Sequence, residues 1–145
     1  MTDGADCSHI VDCAGLHAIA SMASNNMKQQ FLEALSTGAI GVPACVWQEF
    51  QEIFEEEAAE IESYIARKIR MKKAYYVGAA SIADKANSRL SQSPYDSNSD
   101  LYSAAICSIE QYTLLTTDVQ AAMYDNLNCC QAVDLEAWIN SQEDG

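Results

Sequence analysis

Two short apolar segments that each end in an aspartate constrain the fold of this chain most. His9 to Val11 is followed by Asp12, and Tyr112 to Thr116 is followed by Thr117 and Asp118. Each segment has the composition of a buried strand and leads into a stretch that favours helix. Strands that alternate with helices pair in parallel, with helices covering both faces of the sheet. The pattern predicts that both acids lie at the carboxyl edge of one sheet, where ligands bind in such folds.

Further helices and strands are predicted around these two segments. The spacing of apolar residues predicts additional strands over residues 39–42 and 129–133, and helices over residues 14–22, 27–35, 43–54, 58–77, 79–90, 101–111, 119–127 and 135–139. Residues 91–99 are rich in turn formers and are predicted to form a loop. The expected architecture is an α/β three-layer sandwich, in which helices flank a central, mostly parallel sheet of four to five strands.

The length and composition favour one soluble domain. With 145 residues, 49% of them hydrophobic, the chain can bury a core as a single domain over residues 1–145. No apolar run is long enough to cross a bilayer, and the first residues lack the order of a signal peptide. The six cysteines show no CxxC pair, so we expect reduced thiols in a cytoplasmic protein.

Four carboxylates are candidates for a metal site. Asp12 and Asp118 follow strands, Asp100 opens a helix after the 91–99 loop, and Glu49 lies in the helix that follows Pro43. Carboxylates that meet at one edge repel one another unless a cation joins them, and oxygen ligands suit Mg²⁺ or Mn²⁺. Such a metal can activate water against a phosphodiester. The predicted chemistry is that of a metal-dependent nuclease.

Each acid also has a simpler explanation. Asp12 and Asp118 can cap the helices that they precede, and Asp100 can serve as an acid in the first turn of its helix. Glu49 can be one of many solvated glutamates. The placement of two acids at the ends of separate strands favours the metal site over these roles.

The charge distribution limits where a polyanion can bind. The formal net charge is −13, yet apart from Lys28 all the basic residues lie between Arg67 and Arg89. We call the first part of this region the basic strip, formed by Arg67, Lys68, Arg70, Lys72 and Lys73. It is predicted to contact RNA or a protein partner, and the alternative is a solvated helix face.

The acidic segments resemble those of a known family. HIVDCAGL, GAIGVPACVWQEF, SDLYSAAIC and LLTTD are similar, in this order, to the successive acidic motifs of PIN-domain nucleases, and NCCQAVDLEAWI resembles their last strand and helix. Residues 55–95 are not matched. The resemblance implies a sheet in the order 3-2-1-4-5, a Mg²⁺ or Mn²⁺ site, and cleavage of single-stranded RNA. Many small members are toxins that a partner antitoxin neutralises, and pairing into homodimers is frequent.

The same resemblance assigns roles to individual residues. Asp12, Glu49, Asp100 and Asp118 take the roles of the first to fourth acids, as ligands of the metal or of its water. A hydroxyl near the first and last acids often assists in the family, and Thr116 or Thr117 is expected to do so here. Where the family often has a further acid or Asn after the fourth acid, this chain has Gln120 and Ala121.

Two other functions remain open at this point. One is a catalytically inactive PIN-like module that binds a protein or nucleic-acid partner, in which the acidity serves recognition. The other is a small-molecule phosphatase, which needs an aspartyl nucleophile in a DxD setting. Asp12, Cys13 and Ala14 lack the second aspartate, so the phosphatase ranks last.

Overall fold

The computed structural model describes residues 9–23, 25–86, 98–127 and 130–144. Within these ranges the chain forms five strands, eight α-helices and one 3-10 turn. In chain order they are β1 (His9–Val11), α1 (Cys13–Ala20), α2 (Asn25–Thr37), β2 (Ile40–Pro43), α3 (Ala44–Ile53), α4 (Glu55–Ile61), the 3-10 turn (Glu62–Tyr64), β3 (Lys68–Ile69), α5 (Lys73–Ala86), α6 (Asn98–Glu110), β4 (Thr113–Thr116), α7 (Asp118–Leu127), β5 (Gln131–Asp134) and α8 (Leu135–Asp144).

The five strands form one parallel sheet in the order β3-β2-β1-β4-β5. β1 lies at its centre, where His9 pairs with Ile40 of β2 and with Thr113 of β4. All four strand pairings are parallel. The predicted α/β sandwich and the 3-2-1-4-5 order are therefore confirmed.

Two apolar clusters cover the two faces of the sheet. Side chains of neighbouring strand residues point to opposite faces, and β1 and β4 both follow this alternation. Val11 and Leu115 belong to the cluster that contains residues of α1 to α4 and α8. Ile10 and Leu114 belong to the cluster that contains residues of α5, α6 and α7. The sheet is the middle layer of the predicted sandwich, and the pairing of β1 with β4 holds their carboxyl ends side by side.

The predicted helix over residues 58–77 is wrong. α4 ends at Ile61, and the chain then forms the edge strand β3, in which Lys68 pairs with Val42. The apolar residues Ile61, Ile65 and Ile69 recur every four positions, and this spacing keeps side chains on one face of a helix and equally on one face of a strand. The pattern therefore could not separate the two structures. The next helix, α5, begins at Lys73 and not at residue 79.

Other predicted boundaries shift by a few residues. Gly38, with a φ of 85°, follows the end of α2, as expected of a glycine in the left-handed region. Pro43 ends β2 and precedes α3 instead of lying in its first turn. The predicted loop over residues 91–99 falls mostly outside the described residues. Cys13, Cys45, Cys107 and Cys130 carry thiols, and among the helices that the structure describes none has the length and apolar character to cross a membrane.

Candidate active site

Asp12 joins the central strand to the first helix. It directly follows β1 and caps α1, and its Oδ1 accepts a hydrogen bond of 2.7 Å from the backbone N–H of Gly15. The absence of a side chain at position 15 permits this approach. A Cβ on Gly15 would lie 2.5 Å from Val11 Cγ2 and 2.9 Å from the backbone oxygen of Leu115. The capping role proposed from the sequence is thus real, and it brings the helix close against β4.

The second carboxylate oxygen of Asp12 faces two hydroxyl groups. Thr116 Oγ1, at the end of β4, donates to Oδ2 over 2.8 Å, and the Tyr124 hydroxyl of α7 lies 3.3 Å from the same oxygen. Asp12, Thr116 and Tyr124 are all fully buried. A capping carboxylate needs only the helix N–H, so these two further donors indicate a more specific role for Asp12.

The sequence identified Thr116 but not Tyr124. Thr116 adjoins the acid of its own strand, and the resemblance assigns a hydroxyl there. Tyr124 is 112 residues from Asp12 in sequence, and its ring packs in the core cluster of α5, α6 and α7. A tyrosine on the apolar face of a helix looks like any other core aromatic residue, so no sequence signal marked its hydroxyl.

Burial changes the acidity of Asp12. Removal of the carboxyl from water raises its pKa from 3.8 to about 6, although the hydrogen bonds from Gly15, Thr116 and Tyr124 lower the pKa. The donors that contact its side chain in the described part of the chain are neutral groups. Burial thus disfavours the charged carboxylate, and a cation beside it would favour that form.

Glu49 and Asp100 lie on two helices that contact each other. Glu49 belongs to α3, which packs against both α1 and α6, and its Oε2 is buried. Asp100 is the third residue of α6, and its side chain lies outside the described residues. Ser103 follows one turn later on the same helix face, and its buried Oγ has no hydrogen-bond partner within the described chain. α6 therefore carries a buried hydroxyl oxygen one turn after Asp100, the predicted third acid.

Asp118 occupies a more open position. It is the first residue of α7 and is exposed. Thr117 caps this helix, because its Oγ1 accepts a hydrogen bond of 3.4 Å from the N–H of Gln120. Both residues line a cavity of about 320 Å³ between the end of α1 and the starts of α7 and α8. Asp134, at the end of β5, and Glu136 also line it. The sequence analysis did not single out these two acids, because Asp134 lies in the segment that predicted only a last strand and helix.

The candidate site offers the kinds of oxygen atom that bind hard divalent cations. Asp12, Glu49, Thr116 and Ser103 offer carboxylate and hydroxyl oxygens, the ligands that Mg²⁺ and Mn²⁺ prefer. Among the side chains that the structure describes, no three His, Cys, Asp or Glu residues group as metal ligands. Asp100 is not among those side chains. The structure brings Asp12 and Thr116 together, and grouping of the four acids stays a prediction.

The basic strip is only partly available to a ligand. Lys68 lies over the ring of Trp47, 5.4 Å from its centroid, and Lys72 Nζ lies 3.5 Å from Glu110. Arg67 is half-buried, whereas Arg70 and Lys73 are exposed. The alternative of a helix face is incorrect for most of the strip, because Arg67 to Lys72 precede α5.

Comparison with solved structures identifies the fold. The chain is similar to PAE2754 from Pyrobaculum aerophilum, with a TM-score of 0.67 and 11% identity over 97% of this chain and 92% of that one. It is also similar to VapBC2 from Rickettsia felis, bound to a DNA fragment from their promoter, with a TM-score of 0.62 and 12% identity over 87% of this chain and 97% of that one. A third similar structure is FitAB bound to an IR36 DNA fragment, with a TM-score of 0.58 and 14% identity over 88% of this chain and 94% of that one. The chain has a PIN-like fold.

Comparisons of sequence alone find no match for this chain. No family model matches the chain, and no curated protein matches it either. At 11–14% identity the likeness to the solved structures is a likeness of fold. Within the PIN-like fold, Asp12 and Thr116 occupy the carboxyl edge of the sheet where the motifs predicted the acidic site.

Proposed function

We propose that this chain is a divalent-metal-dependent endoribonuclease that cleaves single-stranded RNA. The observation that carries the proposal is Asp12, a fully buried carboxyl at the end of the central strand, bonded to Thr116 of the neighbouring strand. A buried carboxyl is costly unless it is protonated or paired. Its place at the carboxyl edge of a parallel sheet makes a functional role the better explanation.

Asp12, Glu49, Asp100 and Asp118 are the proposed ligands of Mg²⁺ or Mn²⁺. When bound, the metal supplies a nucleophilic water at neutral pH and offsets the charge that develops on the phosphate. Thr116 orients the carboxylate of Asp12 through their 2.8 Å hydrogen bond. Thr117 and Asp118 border the 320 Å³ cavity, which we propose as the place where the nucleotide next to the cleaved bond lies.

A cleavage assay tests this function. We expect the purified chain to cut labelled single-stranded RNA in the presence of Mg²⁺ or Mn²⁺, to stop when EDTA is added, and to leave duplex RNA largely intact. Metal dependence follows from the all-oxygen donor set. Cleavage that persists in EDTA would point to a contaminating or metal-independent nuclease. Absence of cleavage with either metal would favour the second candidate.

The second candidate is an inactive PIN-like module that binds a protein or nucleic-acid partner. It is favoured by the formal net charge of −13, because affinity for RNA rests largely on Lys and Arg that neutralise phosphates. In that case Mn²⁺ would bind weakly or not at all. Calorimetric titration with Mn²⁺ separates the two candidates, because the nuclease requires a measurable binding heat.

A protein partner is part of the proposal. VapBC2 and FitAB are both described as bound to DNA, VapBC2 to a fragment from its own promoter. By likeness to these assemblies we infer that the chain is the toxin of a toxin–antitoxin pair, whose antitoxin would stop cleavage in the assay above. A homodimer remains an expectation of the resemblance.

Four residues of the basic strip are exposed, and of these Arg70 and Lys73 are proposed to contact the RNA backbone. Arg70 and Lys73 are the appropriate pair to reverse, because a glutamate at position 72 would face Glu110. We expect Arg70→Glu with Lys73→Glu to weaken RNA binding and to reduce its salt slope by roughly 0.7 for each lost phosphate contact. The control is Lys28→Gln, which removes a positive charge outside the strip, where Lys28 is already paired with Glu60, and does not set two carboxylates against each other. Equal RNA affinity in the double variant and the parent, measured across a salt series, would exclude this surface.

A further inference from the structure

The Tyr124 hydroxyl is a polar group that neither the motif resemblance nor the proposed ligand set uses. Tyr124 is fully buried, and its ring packs with Ile10 and Leu114 in the core cluster below the sheet. Phenylalanine would supply the same packing without the cost of removing a hydroxyl from water, which is offset only when that hydroxyl is hydrogen-bonded. The position of the hydroxyl, 3.3 Å from Asp12 Oδ2, therefore needs an explanation beyond packing.

The contacts of Asp12 divide unequally between its two oxygens. A carboxylate offers about four acceptor positions, two on each oxygen. Thr116 and Tyr124 both donate to Oδ2, whereas Oδ1 accepts from the backbone N–H of Gly15. The two hydroxyls thus fix Oδ2, and Oδ1 faces the backbone at the start of α1.

We propose that Tyr124 is a positioning residue that, with Thr116, holds Oδ2 of Asp12 and so fixes the orientation in which this carboxylate binds a divalent cation. The inference rests on the proposed function, because it concerns the same metal site. Partners that orient a ligand in this way usually affect metal affinity by about 10- to 100-fold. Tyr124 acts from α7, which also begins with Asp118, and so links two of the proposed ligands through one helix.

The test compares Mn²⁺ binding in two tyrosine variants. Tyr124→Phe removes the hydroxyl and keeps the ring, and we expect its Mn²⁺ dissociation constant, measured by calorimetry, to rise about tenfold. The control is Tyr75→Phe. Tyr75 is 2% exposed, and its hydroxyl bonds to Glu110 over 2.6 Å, so it is another buried tyrosine that donates to a carboxylate. We expect Tyr75→Phe to bind Mn²⁺ as the parent does.

Metal-free melting temperatures separate positioning from stability. Loss of a hydrogen bond to a carboxylate should lower the melting temperature of both tyrosine variants without metal, and we expect only Tyr124→Phe to gain less melting temperature than the parent on addition of Mn²⁺. Unchanged or tighter Mn²⁺ binding by Tyr124→Phe would overturn the inference and leave the proposed function standing. The same holds if Tyr75→Phe weakens binding equally, or if Tyr124→Phe does not fold, since the hydroxyl would then serve stability. A parent chain that binds no Mn²⁺ would overturn both the proposed function and this inference.

Discussion

Asp12→Asn is expected to abolish RNA cleavage and to leave the fold intact. The amide has the shape of the carboxyl, so its oxygen can still accept from the N–H of Gly15 and cap α1. The hydroxyls of Thr116 and Tyr124 can rotate to accept from the new NH₂ group. The variant therefore removes a charge and a metal ligand but little packing. Because loss of an outer partner alone often costs 10- to 100-fold, we expect loss of this proposed ligand to lower the cleavage rate by more than about 100-fold.

The control for Asp12→Asn is Asp125→Asn. Asp125 is exposed on α7 and lies at a different cavity, beside Cys107 and Cys130. The same change of one charge should leave the cleavage rate near that of the parent. Circular dichroism and Mn²⁺ titration on both variants show whether any loss comes from the fold or from the metal. If Asp12→Asn cuts RNA as fast as the parent, Asp12 is not part of the catalytic site.

The sequence predicted the sheet and the position of Asp12 for a simple physical reason. In a parallel sheet all strands end at one edge, so an acid that follows a buried strand must lie there whatever the intervening helices do. This argument needs only β1 and β4, the two strands that the sequence predicted to end next to an acid. Thr116, which the resemblance offered as an assisting hydroxyl, lies near Asp12 because the two strands are neighbours in the sheet.

The features that the sequence could not predict depend on contacts between distant segments. β3 is two residues long and is held by pairing with β2, so its own residues carry little signal. Lys72 looked available for RNA, but α5 and α6 pack together and bring Glu110 to it. Tyr124 reaches Asp12 only because α7 folds back beside β4. In each case the partner lies far along the chain, beyond the reach of local patterns.

The second large effect is expected in the pH dependence of stability. Burial raises the pKa of Asp12 in the folded chain to about 6, from the ordinary value of 3.8 that this group has in the unfolded chain. A folded state that binds the proton more tightly gains stability as pH falls through about 6, and the gain is complete below the unfolded pKa. Without metal, acidification from about pH 7 to about pH 5 should therefore stabilise the parent by about 1 kcal/mol relative to Asp12→Asn.

Urea unfolding of the parent and Asp12→Asn in EDTA, at both pH values, measures this difference. The comparison cancels groups common to both proteins, including His9, whose pKa is lowered by burial. We expect Mn²⁺ to stabilise the parent most at the higher pH, because the cation binds the charged carboxylate and competes with the proton. If the free energies of unfolding of the two proteins change equally between the two pH values, Asp12 does not carry a raised pKa. Another interaction would then have to offset the cost of burying its charge. A parallel response in EDTA that diverges only with Mn²⁺ would assign the coupling to the metal instead of to desolvation.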